Sequence, residues 1–143
     1  MPSCFFIGHR DAPGSLLEAV RAAAERLIRE EGVRDFYVGS RGNFDRLAAK
    51  AVRELRESWP KVRLNLVLAY LPPAGEELPE GFTGSVFPEG LEKVPGRFAI
   101  LRANRAMADT CEFLIAYAPH ATGNARKVAD YARGKGRRVI EVQ

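Results

Sequence analysis

The chain has 143 residues, 46% of them hydrophobic, which is enough to bury one core without disulfides or a structural metal, so a single domain spanning 1–143 is expected. Its 22 Lys and Arg against 18 Asp and Glu leave a formal charge of +4, too small an excess to argue for nucleic acid by itself. With no charged-then-apolar leader and no apolar run near the ~18 residues a membrane helix needs, the expectation is a cytoplasmic protein without a membrane partner.

Ser3-Cys4-Phe5-Phe6-Ile7 is a continuous apolar run, as in a strand buried on both faces, and it ends in Gly8-His9-Arg10. Ser15, with Glu18 three residues on, reads as a capping box for a helix with Leu16, Val20, Ala24, Leu27 and Ile28 as its apolar stripe. Gly32 ends that helix. Asp35-Phe36-Tyr37-Val38 is short, aromatic and β-branched and predicts a second strand. Phe44, Leu47, Ala48, Ala51, Val52 and Leu55 then repeat at helical spacing until Trp59-Pro60 stops the helix. Between the two lies Gly39-Ser40-Arg41-Gly42-Asn43-Phe44-Asp45, a turn with two glycines. There the unpaired N–H groups of the new helix and the positive end of its dipole favour an anion, and Arg41 adds a planar donor fork.

Residues 62–70, with Leu64, Leu66, Val67 and Leu68, predict a third strand. Residues 71–96 interrupt the pattern with five prolines and five glycines, and Ser85-Val86-Phe87 is their one strand-like stretch. Residues 70–95 also hold five Glu (76, 77, 80, 89 and 92) against Lys93, a net of −4, which leaves +8 on the remainder. A long acidic loop leaving the carboxyl end of a strand is suited to close over a basic site as a lid, or to run as a solvated excursion. A helix over 96–108 turns Ala99, Ile100, Ala103 and Met107 to the core. Arg102, Arg105 and Asp109 take the other face; Arg97 and Asn104 flank the apolar one as candidate ligand contacts, and Arg105 is carried as a further candidate. A fourth strand, Glu112-Phe113-Leu114-Ile115-Ala116-Tyr117, leads to a second glycine-bearing turn, Pro119-His120-Ala121-Thr122-Gly123-Asn124. A helix carrying Val128 and Ala132 and a fifth strand over 138–142 complete the chain. Cys4 and Cys111 lie in apolar runs without C-x-x-C or Cys/His ligand spacing and read as buried small hydrophobes.

Strands separated by helices predict an α/β fold, a doubly wound, mostly parallel five-stranded sheet ordered 3-2-1-4-5 and flanked by helices. In that order the three turns at Gly8-His9-Arg10, at 39–45 and at 120–124 converge where the crossover direction reverses. They bring together glycines, helix N-termini, Arg10, Arg41, Asn43 and Asn124, a set suited to phosphate and ribose. Asp45 is the acid in a suitable place. It is either a first-turn carboxylate favoured by the helix dipole, a partner for a ribose hydroxyl, or a weak candidate for catalysis as general base. His9 reads as a hydrogen-bonding turn residue. His120 meets it only through the fold, and no metal site is expected.

These stretches resemble the SLOG superfamily, the Rossmann-like group that includes the DNA-processing protein DprA, the LOG phosphoribohydrolases and YpsA-like proteins. Cys4-Phe5-Phe6-Ile7-Gly8-His9-Arg10 resembles the C-x-F-x-G-H-R opening of the YpsA-like branch, and Gly39 to Ala48 resembles the G-x-x-G-x-D-x-x-A turn found there and in DprA. Asn104-Arg105-Ala106-Met107-Ala108-Asp109, followed by Leu114-Ile115-Ala116, is similar to the N-R-x-M-x-D…L-I-A segment of the same branch. The resemblance covers nearly the whole chain apart from 71–96. It implies a Rossmann-like fold that binds a nucleotide or nucleotide-derived ligand across the strand ends, without a cofactor, and a homo-oligomer. The LOG enzymes carry P-G-G-x-G-T-x-x-E after the fourth strand. Here the stretch is Ala121-Thr122-Gly123-Asn124-Ala125-Arg126-Lys127, without paired glycines and with lysine in place of the acid. Oxocarbenium-like chemistry needs a carboxylate near the sugar, which Lys127 does not supply.

The expected site therefore comprises Gly8, His9, Arg10, Gly39, Ser40, Arg41, Gly42, Asn43, Asp45, Arg97, Asn104, Arg105, Gly123 and Asn124. The expected function is binding of a phosphorylated, ribose-containing small ligand as a sensor or binding module. A nucleotide-processing N-glycosidase is the alternative, and single-stranded DNA binding, by analogy with DprA, stands behind both.

Overall fold

In a computed structural model the described residues are 2–70 and 78–143. Residues 71–77, and with them Glu76 and Glu77 of the expected lid, lie outside that description. The elements are β1 (Ser3–Gly8), α1 (Leu17–Glu31), β2 (Asp35–Val38), α2 (Asn43–Ser58), β3 (Arg63–Val67), β4 (Gly84–Val86), α3 (Gly96–Thr110), β5 (Phe113–Tyr117), α4 (Asn124–Gly134) and β6 (Arg138–Glu141). Short 3-10 turns at Gly14–Leu16 and Leu91–Lys93 precede α1 and α3.

The described strands form one six-stranded sheet, ordered β4-β3-β2-β1-β5-β6, and every pairing is parallel. The expected order holds for five of them. The sixth is β4, which pairs with β3 through Asn65↔Gly84, Leu66↔Ser85 and Val67↔Val86. It forms at the strand-like stretch of the 71–96 segment, one residue earlier than Ser85-Val86-Phe87, and the edge of β3 supplies its partner.

Side chains of β1 and β5 alternate between two cores. Cys4, Phe6, Phe113 and Ile115 pack with Val20, Ala24, Phe44, Val52 and Leu55 of α1 and α2. Phe5, Ile7, Leu114 and Ala116 pack with Ala99, Ala103, Met107, Val128 and Ala132 of α3 and α4. Both faces are covered, which is why β1 reads as an uninterrupted apolar run. Asp35 is buried where β2 meets β3, and Arg63 opposite it donates from Nε at 2.6 Å and from Nη2 at 2.9 Å, a two-pronged bond that pins the register. Cys4 and Cys111 are both buried and free, in different cores, and burial pushes the Cys111 thiol up to about 12.

The capping box expected at Ser15 and Glu18 does not form. Ser15 lies inside the 3-10 turn that follows Pro13, the α-helix starts two residues later at Leu17, and Glu18 pairs with Arg21 instead. At the other end Gly32 takes the left-handed conformation (φ 72°) and its N–H closes on the Leu27 carbonyl.

Candidate functional site

The carboxyl ends of β1, β2, β3 and β5 open into a cleft of about 380 Å³. It lies at the point where the strand order reverses between β1 and β5, the position at which open α/β sheets bind ligands, and its volume is within the usual range for small-molecule pockets.

Gly8 ends β1 because nothing larger fits. A Cβ there would stand 2.3 Å from Cγ of Phe44, whose buried ring brings the first turn of α2 against the strand. The same turn is clamped to the chain leaving β1. The Asn43 N–H donates to the Arg10 carbonyl at 2.9 Å, and the Asn43 side-chain amide donates to the Ala12 carbonyl. Gly42 has φ 93°, and a Cβ on it would lie 2.4 Å from Cβ of Arg10.

The carboxyl group of Asp45 turns back under this turn. Its Oδ2 accepts the Arg41 N–H at 2.8 Å and would sit 3.1 Å from a Cβ on Gly39. Asp45 is buried, and burial pushes its pKa up to about 7 against the opposing pull of the Arg41 hydrogen bond. Among the described residues lining the cleft it is the sole acid.

Above this floor the Arg41 guanidinium lies 5.3 Å from the centre of the Tyr70 ring, and the Tyr70 hydroxyl donates to the Gly96 carbonyl at 2.8 Å. Across the cleft, the His9 and His120 rings meet edge to face with centroids 4.8 Å apart. His9 Nδ1 accepts the Asp11 N–H at 3.2 Å. Among the described residues no group of three or more His, Cys, Asp or Glu is arranged to hold a metal ion.

The two glycine-led helix starts differ. Gly123 precedes α4 with φ 104° and ψ 168°, close to Gly42 before α2 at φ 93° and ψ −178°. At α2 the Asn43 and Arg41 N–H groups are taken, the second by the protein's own carboxyl. At α4 the first turn holds no acid. The N–H groups of Asn124, Ala125 and Arg126 have no protein acceptor among the described residues, and the first helical bond comes from Lys127 to Gly123. Arg126 braces this end: Nη2 donates to the Ala118 carbonyl and, at 2.8 Å, to Glu141 on β6, while Nε reaches the His120 carbonyl at 3.4 Å.

Compared with solved structures, the chain is similar to the X-ray structure of DNA processing protein A (DprA) from Streptococcus pneumoniae, with a TM-score of 0.70 at 18% identity. The fold is DprA-like. The match covers 99% of this chain and 50% of the DprA chain, so the protein spans half the length of that relative, and at this identity the likeness is one of fold. No family model and no curated protein matches the sequence.

Of the residues expected at the site, this DprA-like fold brings Gly8, His9, Arg10, Gly39, Ser40, Arg41, Asp45, Asn104, Gly123 and Asn124 to the cleft wall. Gly42 and Asn43 are not in the wall, because their contacts with Arg10 and Ala12 place them behind it. Arg97 lies over the Phe98 ring, exposed, about 10 Å along the axis of α3 from Asn104. Arg105 is rotated ~100° from Asn104 and stacks on Tyr131 of α4. The expected ligand site included neither Tyr70, which the sequence offered only as a stacking aromatic for single-stranded DNA, nor Arg126. For Tyr70 the available signal was an aromatic at the carboxyl end of a predicted strand. The role of Arg126 depends on Glu141, fifteen residues on and in another element, and has no local signature.

Proposed function

We propose that the protein binds a phosphorylated, ribose-containing nucleotide across the ends of β1, β2 and β5, as a binding or sensing module. The observation that carries this reading is the start of α4, an acid-free helix N-terminus whose first three N–H groups have no protein acceptor among the described residues and which opens on a cleft lined by Arg10 and Arg41. At the α2 start the Asn43 N–H is already donated to the Arg10 carbonyl and the Asp45 carboxyl lies close by, which makes it the poorer phosphate seat, and Asp45 is suited to a ribose hydroxyl. Processing of the nucleotide as an N-glycosidase is the second reading, favoured by one feature: a buried acid with its pKa near 7 is poised to exchange a proton at neutral pH.

Thermal unfolding against nucleoside phosphates, cyclic nucleotides, dinucleotides, ADP-ribose and short single-stranded DNA tests both. A ligand at 100 times its dissociation constant stabilises the fold by about 2.7 kcal/mol, several degrees in midpoint. The expected result is a shift confined to one nucleotide class and reduced in Arg41→Ala. Release of free base, abolished in Asp45→Asn, selects the enzyme. A salt-sensitive shift with DNA alone overturns the small-ligand reading.

A further inference from the structure

We infer that Tyr70 is the base platform of this cleft, so that the ligand is recognised through a planar aromatic base as well as through phosphate and ribose. The inference rests on the nucleotide reading above and adds to it which end of the cleft takes which part of the ligand.

Three features of Tyr70 point this way. It is 46% exposed, one of the few large hydrophobic side chains so open among the described residues, and it stands in the cleft wall. Its ring is held at both ends of its motion, by the hydroxyl bond to the Gly96 carbonyl and by the Arg41 guanidinium 5.3 Å from its centre. An aromatic ring fixed in orientation yet left open is preorganised for stacking, and the guanidinium over it adds a second planar group to the platform.

The cleft is also polarised along the sheet. The wall near Tyr70 is apolar, with Val67, Leu68 and Ala69 from the end of β3 and Ile100 and Ala103 from α3. At the opposite end, the turn after β5 presents Gly123, Asn124 and the free N–H groups of α4. Neighbouring strands are about 4.8 Å apart, so the ends of β3, β2 and β1 form a ladder with steps comparable to those from base to ribose to phosphate. A base on Tyr70 then sets the ribose over Asp45 and Gly39 and directs the phosphate toward Arg10 at the end of β1, on the side of the cleft that leads to α4. A sugar phosphate alone would leave the apolar end and the fixed ring without a role.

The test compares two probes by calorimetry, ribose 5-phosphate and the tightest binder among AMP, GMP, CMP and UMP, in the wild type, Tyr70→Ala and Tyr70→Trp. The expected result is that Tyr70→Ala weakens the nucleotide on the order of tenfold, that it changes ribose 5-phosphate affinity by less than twofold, and that Tyr70→Trp restores the nucleotide. Retained sugar phosphate binding in Tyr70→Ala also establishes that the variant is folded. If both probes bind the wild type but Tyr70→Ala leaves their affinity ratio unchanged, the platform is overturned and the nucleotide reading survives. If neither probe binds the wild type, both are overturned.

Discussion

Asp45 stands in the first turn of α2, where the helix dipole ordinarily favours a carboxylate by ~0.3–1 kcal/mol. Burial outweighs that preference here, since removing an ionised carboxyl from water costs more than one backbone hydrogen bond from Arg41 returns, and the pKa rises to about 7. A carboxyl that is protonated in the native state at pH values where the unfolded chain is ionised makes stability fall as pH rises. The loss begins near the ordinary value of 3.8, is complete above about 7, and totals on the order of 4 kcal/mol. Asp45→Asn keeps an oxygen for the Arg41 N–H and removes the ionisation. Its denaturant stability is therefore expected to rise relative to wild type between pH 5 and pH 8, and parallel pH profiles for the two proteins would sink this account. The sequence located Asp45 at the turn because Gly39, Gly42 and the apolar repeat after them mark a strand-to-helix junction. Its pKa was not legible, because that depends on the fold burying the carboxyl close against Gly39.

The glycine-led starts of α2 and α4 share a backbone conformation that side chains other than glycine rarely adopt, but they differ in surroundings. At Gly123 a Cβ meets nothing within 4 Å, whereas at Gly42 it meets Cβ of Arg10 at 2.4 Å. Gly123→Ala therefore carries backbone strain alone, roughly 1–3 kcal/mol, while Gly42→Ala adds a clash between two turns that are hydrogen-bonded together. Urea unfolding is expected to rank Gly42→Ala as the more damaging, and equal losses would mean that the approach to Arg10 relaxes at no cost. Elements of this kind were legible where a periodic apolar pattern carried them, as in β1, α2 and β5. The strand-like stretch at 85–87 was legible as well and forms β4 one residue earlier, but its parallel pairing with β3 was not, and the start of α1 is displaced by a 3-10 turn that Pro13 and Gly14 favour over the capping box. Of the α3 candidates the fold brings Asn104 to the cleft wall and not Arg97 or Arg105, because bordering an apolar face in projection ignores distance along the axis for Arg97, and Arg105 is rotated away toward Tyr131.

At the scale of the whole molecule, the cleft exists only when distant parts of the chain have paired. β1 lies between β2 and β5, and Cys4 is opposite both Phe36 and Phe113, so one wall of the site comes from the first half of the sequence and the other from the last third. A ligand bridging the ends of these strands stabilises the pairing that builds its own site, and hydrogen exchange resolves that coupling amide by amide. Core amides of β1 and β5, which exchange through global unfolding, are expected to slow about 100-fold when ligand is present at 100 times its dissociation constant. The N–H groups of Asn124, Ala125 and Arg126 have no helical partner and exchange quickly in the free protein; they should slow as well if the ligand's phosphate caps α4. Amides at the open edges of β4 and β6 exchange through local fraying and should be indifferent. Protection of the edges without protection of the α4 start would put the ligand elsewhere on the molecule. Protection of the α4 start alone, with the core unchanged, would mean that the core amides exchange through local openings that keep the ligand bound rather than through global unfolding.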